Sequence, residues 1–362
     1  MRQIFLAMLL FLVLCSVSHA DELPPAQRLL EIAKTFEVTA LAAPPAWASP
    51  DAPLLFQAAW LSDLHITDAE SLALVKAACN ILRDELKPAL TFITGDNCAL
   101  PESMLPPAAG KNLSLRRQEW LRDFLKQELS RPYIIIPGDN WPWEFENVFG
   151  SDKQSFTYAG FHFIVASLDQ QAVGKEGCLV FNESSWQWLE QELRQNATRP
   201  CIFIMHEPAY PPCFLEAGRL TALFDAHPQL LLAMGGHLHL DLEFRRGNWT
   251  QWCAPALGRS HRPAFKLLSF YAGRIVMNSW EWQANARRFE SVCKWQQVEV
   301  PEHLHSKAAP QTQFQPENHF LYPPAPRQKV PQLGQRQQEY SAMTMQFILE
   351  IGLSTFFPKL NP

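Results

Sequence analysis

Residues 133–143 read YIIIPGDNWPW. An apolar, β-branched run stops at Pro137 and hands Gly138, Asp139 and Asn140 to a turn, the pattern of a buried strand whose carboxyl end carries polar groups toward a ligand. Four other runs end in the same way. WLSDLHI (60–66) delivers Asp63 and His65, and TFITGDN (91–97) delivers Gly95 and Asp96. FIMHEP (203–208) delivers His206, and AMGGHLHL (233–240) delivers Gly236, His237 and His239. The carboxyl ends of strands in open α/β sheets are where ligands gather. Residues two apart share a face on an extended backbone, so Asp63 with His65, and His237 with His239, are expected to point the same way if each strand persists.

Strands are expected at Leu54–Ser62, Ala89–Thr94, Tyr133–Pro137, Cys201–Met205 and Leu230–Met234. Helical patterns fall at Ala69–Leu86, Leu115–Leu129, Ser185–Gln195 and Ala217–Ala226. Phe156–Leu168 reads as a hairpin turning at Ala159-Gly160, and Phe265–Ser279 as another turning at Ala272-Gly273. Alternation of strand and helix implies crossover units in an α/β fold.

Histidine and aspartate together suit a borderline divalent ion such as Zn, Mn or Fe. One aspartate can bridge two such ions, and a pair about 3.5–4 Å apart can hold a phosphate and turn a bridging water into hydroxide for in-line attack.

The order DxH, GD, GN(H), H, GHxH resembles the signature of calcineurin-like metallophosphoesterases. The resemblance spans Leu54 to Val276. It extends to FGSDKQSFTYAGFHFIVASLD (149–169) and APALGRSHRPAFKLLSF (254–270), which look like the strand pairs following the third and fifth motifs in secreted members. It implies a four-layer β-sandwich flanked by helices, with a dinuclear centre of two divalent metal ions (Mn, Fe or Zn) at the strand ends. By position, Asp63, His65 and His239 would bind the first ion, Asp96 would bridge, and Asp139, His206 and His237 would bind the second. It also implies a small phosphate-ester substrate.

Two positions depart from that pattern. Asp139 stands where the family has Asn, a charged oxygen donor for a neutral one. With two divalent ions, three carboxylates leave the centre at about +1 rather than +2, which implies tighter metal retention and weaker electrophilicity. Asn140 stands where the family has the His that protonates the leaving group or steadies the transition state. It can donate a hydrogen bond to a phosphate oxygen but delivers no proton near neutral pH. Asn140 and Asp96 are the candidate catalytic residues. His162, within the first hairpin, reads as packing. His261, after Gly258, is the better substitute acid. Trp141 and Trp143 would wall a pocket or cover the core, Asn97 lies near the site, and Cys98 reads as structural.

The 362 residues are 47% hydrophobic and carry a net charge of -5, which supports a buried core and argues against a nucleic-acid partner. Arg2, the apolar run Ile4–Cys15 and the small residues before Ala20 read as an export signal (1–20), too short for a membrane span. A secreted or periplasmic location follows as an expectation. No CxxC occurs, and an odd seven cysteines would remain after cleavage. Four sequons (Asn112, Asn182, Asn196, Asn248) fit export too. The expected organisation is a helix and Ala/Pro-rich linker over 21–53, a metallophosphoesterase domain over 54–297, and a Pro/Gln-rich tail over 298–362 whose end, Met343–Phe357, is apolar again. The reading is a metal-dependent phosphoesterase acting on a phosphomonoester or phosphodiester. The alternative is a catalytically impaired relative that uses the same fold for binding or as a scaffold.

Overall fold

Every strand that reads as apolar in sequence is buried on both faces, so each needs cover on both sides. The computed structural model describes residues 33–171, 178–258 and 260–323, together with 335 and 338. The expected signal, most of the leading helix and the apolar end of the tail lie outside these. In chain order the strands are β1 (Leu54–Leu61), β2 (Leu90–Thr94), β3 (Tyr133–Ile136), β4 (Gln154–Tyr158), β5 (Phe161–Val165), β6 (Asp169–Gln171) and β7 (Cys178–Val180). They continue as β8 (Cys201–Ile204), β9 (Leu230–Gly235), β10 (Leu242–Arg246), β11 (Trp249–Cys253), β12 (Ala264–Tyr271), β13 (Arg274–Gln283), β14 (Arg288–Glu299) and β15 (Glu317–Leu321). The helices are α1 (Ala69–Ile81), α2 (Leu113–Glu128), α3 (Phe145–Phe149), α4 (Glu183–Gln195) and α5 (Ala217–Asp225).

Two large sheets face each other. One runs β14-β13-β12-β1-β2-β3, the other β10-β11-β9-β8-β5-β4-β15. β1, β2 and β3 are mutually parallel, as are β5, β8 and β9. Each set is linked through helices, so all their carboxyl ends emerge along one edge. Apolar residues fill three interfaces: between the sheets (Phe56, Trp60, Phe92, Phe163, Phe270), under α1 and α2 (Val75, Leu121, Leu125), and under α4 and α5 (Trp186, Leu189, Phe224). The result is the α/β/β/α arrangement that the sequence led us to expect.

Phe56 sits at the centre of the inter-sheet layer. Its ring stacks on Phe270 at 4.2 Å and meets Tyr158 edge-on at 4.7 Å. Phe56→Ala is expected to lower unfolding free energy by about 3–5 kcal/mol; a urea titration read by tryptophan fluorescence checks it.

Local signals explain the boundaries. Asp68 caps α1 by accepting the Ser71 N–H at 2.8 Å, while the Ser71 hydroxyl accepts the Asp68 N–H at 3.1 Å. The helix ends five residues before the expected Leu86, because Leu82–Leu86 widen into a π turn and Lys87 is left-handed (φ 50) ahead of Pro88. Both hairpin turns fall where the sequence puts them.

The structure departs from the reading at the carboxyl side. β14 runs through the expected boundary at 297, Val300 and Leu304 are buried, and β15 pairs antiparallel with β4. Phe314 packs its ring against Phe156 at 5.4 Å and Tyr158 at 5.3 Å. Residues 298–323 are poor in apolar side chains, but an extended chain adds to a sheet edge through its backbone.

Candidate metal centre

Asp63 and His65 follow β1, Asp96 follows β2, Asp139 and Asn140 follow β3, His206 follows β8, and His237 and His239 follow β9. The expected geometry of the paired residues does not hold. β1 stops at Leu61 and β9 at Gly235, and Asp63, His65, His237 and His239 all have left-handed backbone (φ 50, 39, 64 and 57). Asp96 does too (φ 51). Side chains two apart are aimed inward by this twisted backbone rather than by strand alternation. Such conformations are unfavourable for residues with a Cβ, and they collect at functional sites.

The seven residues nevertheless meet. Ligand atoms of Asp63, His65, Asp96 and His239 lie within 4.8 Å of one another, and so do those of Asp139, His206 and His237. Asp96 joins the two groups: one carboxylate oxygen is 3.6 Å from His65 Nε2 and the other 3.4 Å from His206 Nε2. His65 Nε2 and His239 Nε2 face each other at 3.0 Å. Asp139 Oδ1 lies 3.2 Å from His206 Nε2 and 3.1 Å from His237 Nδ1.

Second-layer contacts fix these donors. The Thr94 carbonyl accepts from His206 Nδ1 at 2.6 Å, so a neutral His206 presents its Nε2 lone pair to the site. Ser62 Oγ donates to Asp63 Oδ2 at 2.6 Å, and the His237 N–H donates to the same oxygen at 3.1 Å. Asn97 donates to the Ile136 carbonyl at 2.9 Å and ties the end of β2 to β3. Two glycines make room: a methyl on Gly138 would drive into the Asp96 carboxylate, and one on Gly236 into Ser62 Oγ. Sequence reading missed Ser62 and Thr94. Their only signal is a small hydroxyl residue one or two places before a motif Asp.

The other flagged residues sort clearly. Asn140 is exposed, and two of its three N–H groups go to Asp96: its backbone N–H to Oδ1 at 2.8 Å and one from Nδ2 to Oδ2 at 2.7 Å. The Trp141 ring stands perpendicular to that of His65, with centroids 5.4 Å apart, and Trp143 is 52% exposed, so it does not cover the core. His162 is buried at the far end of β5 and held by Glu192 (3.0 Å) and Thr157 (3.2 Å), consistent with packing. His261 is exposed on the loop after Gly258, whose N–H donates to the Asp63 carbonyl. Cys98 is buried, and burial pushes its thiol up to about 11. Among the described residues, Cys79, Cys98, Cys201, Cys213, Cys253 and Cys293 are free thiols.

The donor set fits cations. Asp63 Oδ1 is buried and has no hydrogen-bond partner, yet three imidazole Nε2 atoms surround it: His239 at 3.2 Å, His65 at 3.8 Å and His206 at 3.9 Å. Burial opposes the Asp63 charge, and the histidines outweigh it, holding the carboxyl well below its usual range. Asp139 is held low in the same way by His206 and His237. Burial likewise disfavours a charged His206, but Asp96 and Asp63 prevail and hold it well above the usual histidine value; Asp139 does the same for His237. A divalent ion would therefore compete with protons for both histidines. Affinity for Zn²⁺ or Mn²⁺ is expected to rise from pH 6 to pH 8. Titrations at the two pH values check it.

No protein-family model matches the chain, and no curated protein sequence matches it. Solved structures do. A dimetal phosphatase from Danio rerio aligns over 68% of this chain and 99% of its own, with TM-score 0.53 and 14% identity. GAP50, the anchor in the inner membrane complex of Plasmodium, aligns over 69% and 90% with TM-score 0.49 and 12% identity. Vacuolar Protein Sorting 29 from Cryptosporidium parvum aligns over 68% and 100% with TM-score 0.36 and 13% identity. The chain has the calcineurin-like metallophosphoesterase fold. Among the described residues, no helix is long and apolar enough to cross a membrane.

Proposed function

We propose that the protein is a metal-dependent phosphoesterase acting on a small phosphomonoester or phosphodiester. One observation carries the reading: seven Asp and His side chains from five separate strand ends converge into two adjoining donor groups. In this reading Asp63, His65 and His239 hold one divalent ion, Asp139, His206 and His237 hold a second, and Asp96 lies between them. Two such ions (Mn, Fe or Zn) would supply an acidified water and a positive clamp on phosphate oxygens. The chain's own residues do the rest. The Thr94 carbonyl and Ser62 hydroxyl keep His206 and Asp63 aimed. Asn140 orients Asp96 and offers an amide to a phosphate oxygen, but it carries no transferable proton. General acid catalysis typically contributes 10²–10⁴-fold, so the reading favours leaving groups that depart unprotonated, such as aryl esters, or diesters and anhydrides.

The test is hydrolysis of bis(p-nitrophenyl) phosphate by the Mn²⁺-loaded chain before and after chelation. Chelator-sensitive turnover supports the reading. A second reading, binding or scaffolding without turnover, draws on Asn140 in place of the acid; metal retention with no turnover across a panel of metals would favour it. Export through residues 1–20 belongs to the same proposal, and an N-terminus at Asp21 in secreted material tests it.

A further inference from the structure

The candidate centre straddles the two sheets. Asp63, His65 and Asp96 come from β1 and β2 of one sheet, and His239 comes from the loop after β9 of the other. The first ion would therefore be held only while that loop is registered against the facing sheet. His239 is poorly placed to hold itself, with a side chain 39% exposed and a left-handed backbone (φ 57). Such a conformation persists where its surroundings over-determine it. Its neighbours Leu238 and Leu240 pack against Ala33, Leu242, Phe244 and Cys253, none of which lies in the facing sheet.

A tie to the facing sheet lies two residues further on. Asp241, at the far end of the loop, is buried, and so are Lys266 of β12, Ser279 of β13 and Gln296 of β14, all from that sheet. Lys266 Nζ donates to Asp241 Oδ1, to Ser279 Oγ at 2.7 Å and to Gln296 Oε1 at 3.1 Å, which occupies its three N–H groups. Ser279 Oγ in turn donates to Asp241 Oδ2 at 2.8 Å. Lys266 lies opposite Trp60 on β1, the strand that leads into Asp63 and His65. The network thus joins the strand that carries two ligands of the first ion to the loop that carries the third. Stability alone does not account for it. Burial is costly here, holding the Lys266 pKa below the usual lysine range even beside Asp241. Apolar residues in place of a buried ion pair are often neutral or stabilising. What a fully bonded pair supplies is a unique register between the two parts it joins.

We propose that Lys266 and Asp241 are positioning residues, a buried clamp that sets His239 on the first ion by fixing its loop against the facing sheet. This rests on the two-ion reading of the centre and deepens it. Neither residue is a ligand in that reading. They act through His239, so their loss is felt at the first ion before the second, whose donors Asp139, His206 and His237 lie outside the clamped end of the loop.

The experiment is a calorimetric titration of the full chain with Mn²⁺, beside electron paramagnetic resonance of the bound ions. His239→Ala and His206→Ala mark what loss of the first and of the second ion looks like. Lys266→Met combined with Asp241→Asn removes both charges together, so that neither is left buried alone. That double variant is expected to bind the first ion about tenfold or more weakly, and the second within about threefold of the unaltered chain. Its spectrum should move from a coupled pair toward an isolated ion, as in His239→Ala. Leu189→Ala, in the layer under α4, controls for lost stability and should keep both affinities. Two ions held as tightly by the double variant as by the unaltered chain overturn the proposal, and so does equal weakening of both. If the double variant does not fold, Ser279→Ala decides, since it removes one bond of the network and keeps its charges: a selective loss at the first ion supports the clamp, and unchanged affinities overturn it. An unaltered chain that binds no pair of ions sinks the two-ion reading and the clamp with it. Two ions bound without turnover sink only the esterase chemistry, because the clamp is read from affinities.

Discussion

His206→Ala is expected to remove the second ion and to lower turnover of bis(p-nitrophenyl) phosphate by about 10³-fold or more. His206 is the most enclosed donor of its group, with no exposed surface. Its Nε2 lies 3.2 Å from Asp139 and 3.4 Å from Asp96, so it links the second donor group to the aspartate shared with the first. Without it, Asp139 and His237 are left as a two-donor remnant. An ion in such a site contributes several kcal/mol of transition-state charge stabilisation, and each 1.36 kcal/mol is a factor of ten in rate. Metal content after dialysis, measured beside turnover, checks both halves. Two ions retained with rate intact would mean that the centre is assigned wrongly. Circular dichroism guards against simple unfolding, because a buried imidazole between carboxylates also contributes to the fold.

Asn140→His is expected to raise hydrolysis of an alkyl phosphate by about 10²-fold, with a much smaller effect on nitrophenyl esters. Asn140 is exposed, so the larger ring has room. The backbone bond from residue 140 to Asp96 survives the change, while the side-chain bond at 2.7 Å is exchanged for an imidazole able to give up a proton. The ratio of rates on alkyl and aryl substrates is the quantity to measure. An unchanged ratio would mean that leaving groups already receive a proton from elsewhere, and His261→Ala would then be the next variant.

The site was legible in the sequence because its parts carry strong local signals. An apolar run closing in Gly-Asp or Gly-His is readable one strand at a time, and five in order leave few alternatives. The outer strands were not. β10 reads LEFRR, mixing charge with apolar residues because one side of it is only partly covered, and β11 reads WTQWC, polar residues included, although every one of its residues is buried. β14 hid as β10 did: its burial alternates irregularly and its partner register shifts near Trp280. The left-handed backbone at Asp63, His65, Asp96, His237 and His239 had only a weak signal, since aspartate and histidine are enriched at positive φ yet adopt it in few of their occurrences. Nor could sequence show that a backbone carbonyl, Thr94, fixes the tautomer of His206.

The last described strand bears on how the molecule behaves among its own copies. β15 covers β4, and beyond it the chain is fastened: the Tyr322 N–H donates to the Lys153 carbonyl at 2.9 Å, and the Tyr322 ring lies 5.2 Å from that of Trp188. A chain ended at 297, where sequence alone places the domain limit, would leave β4 as a bare edge with Phe156 and Tyr158 stripped of Phe314. Bare edges of this kind recruit neighbouring molecules strand to strand. The segment after β14 is thus a guard against self-association, and an expression boundary drawn before it would produce aggregates that say nothing about the stability of the two-sheet core.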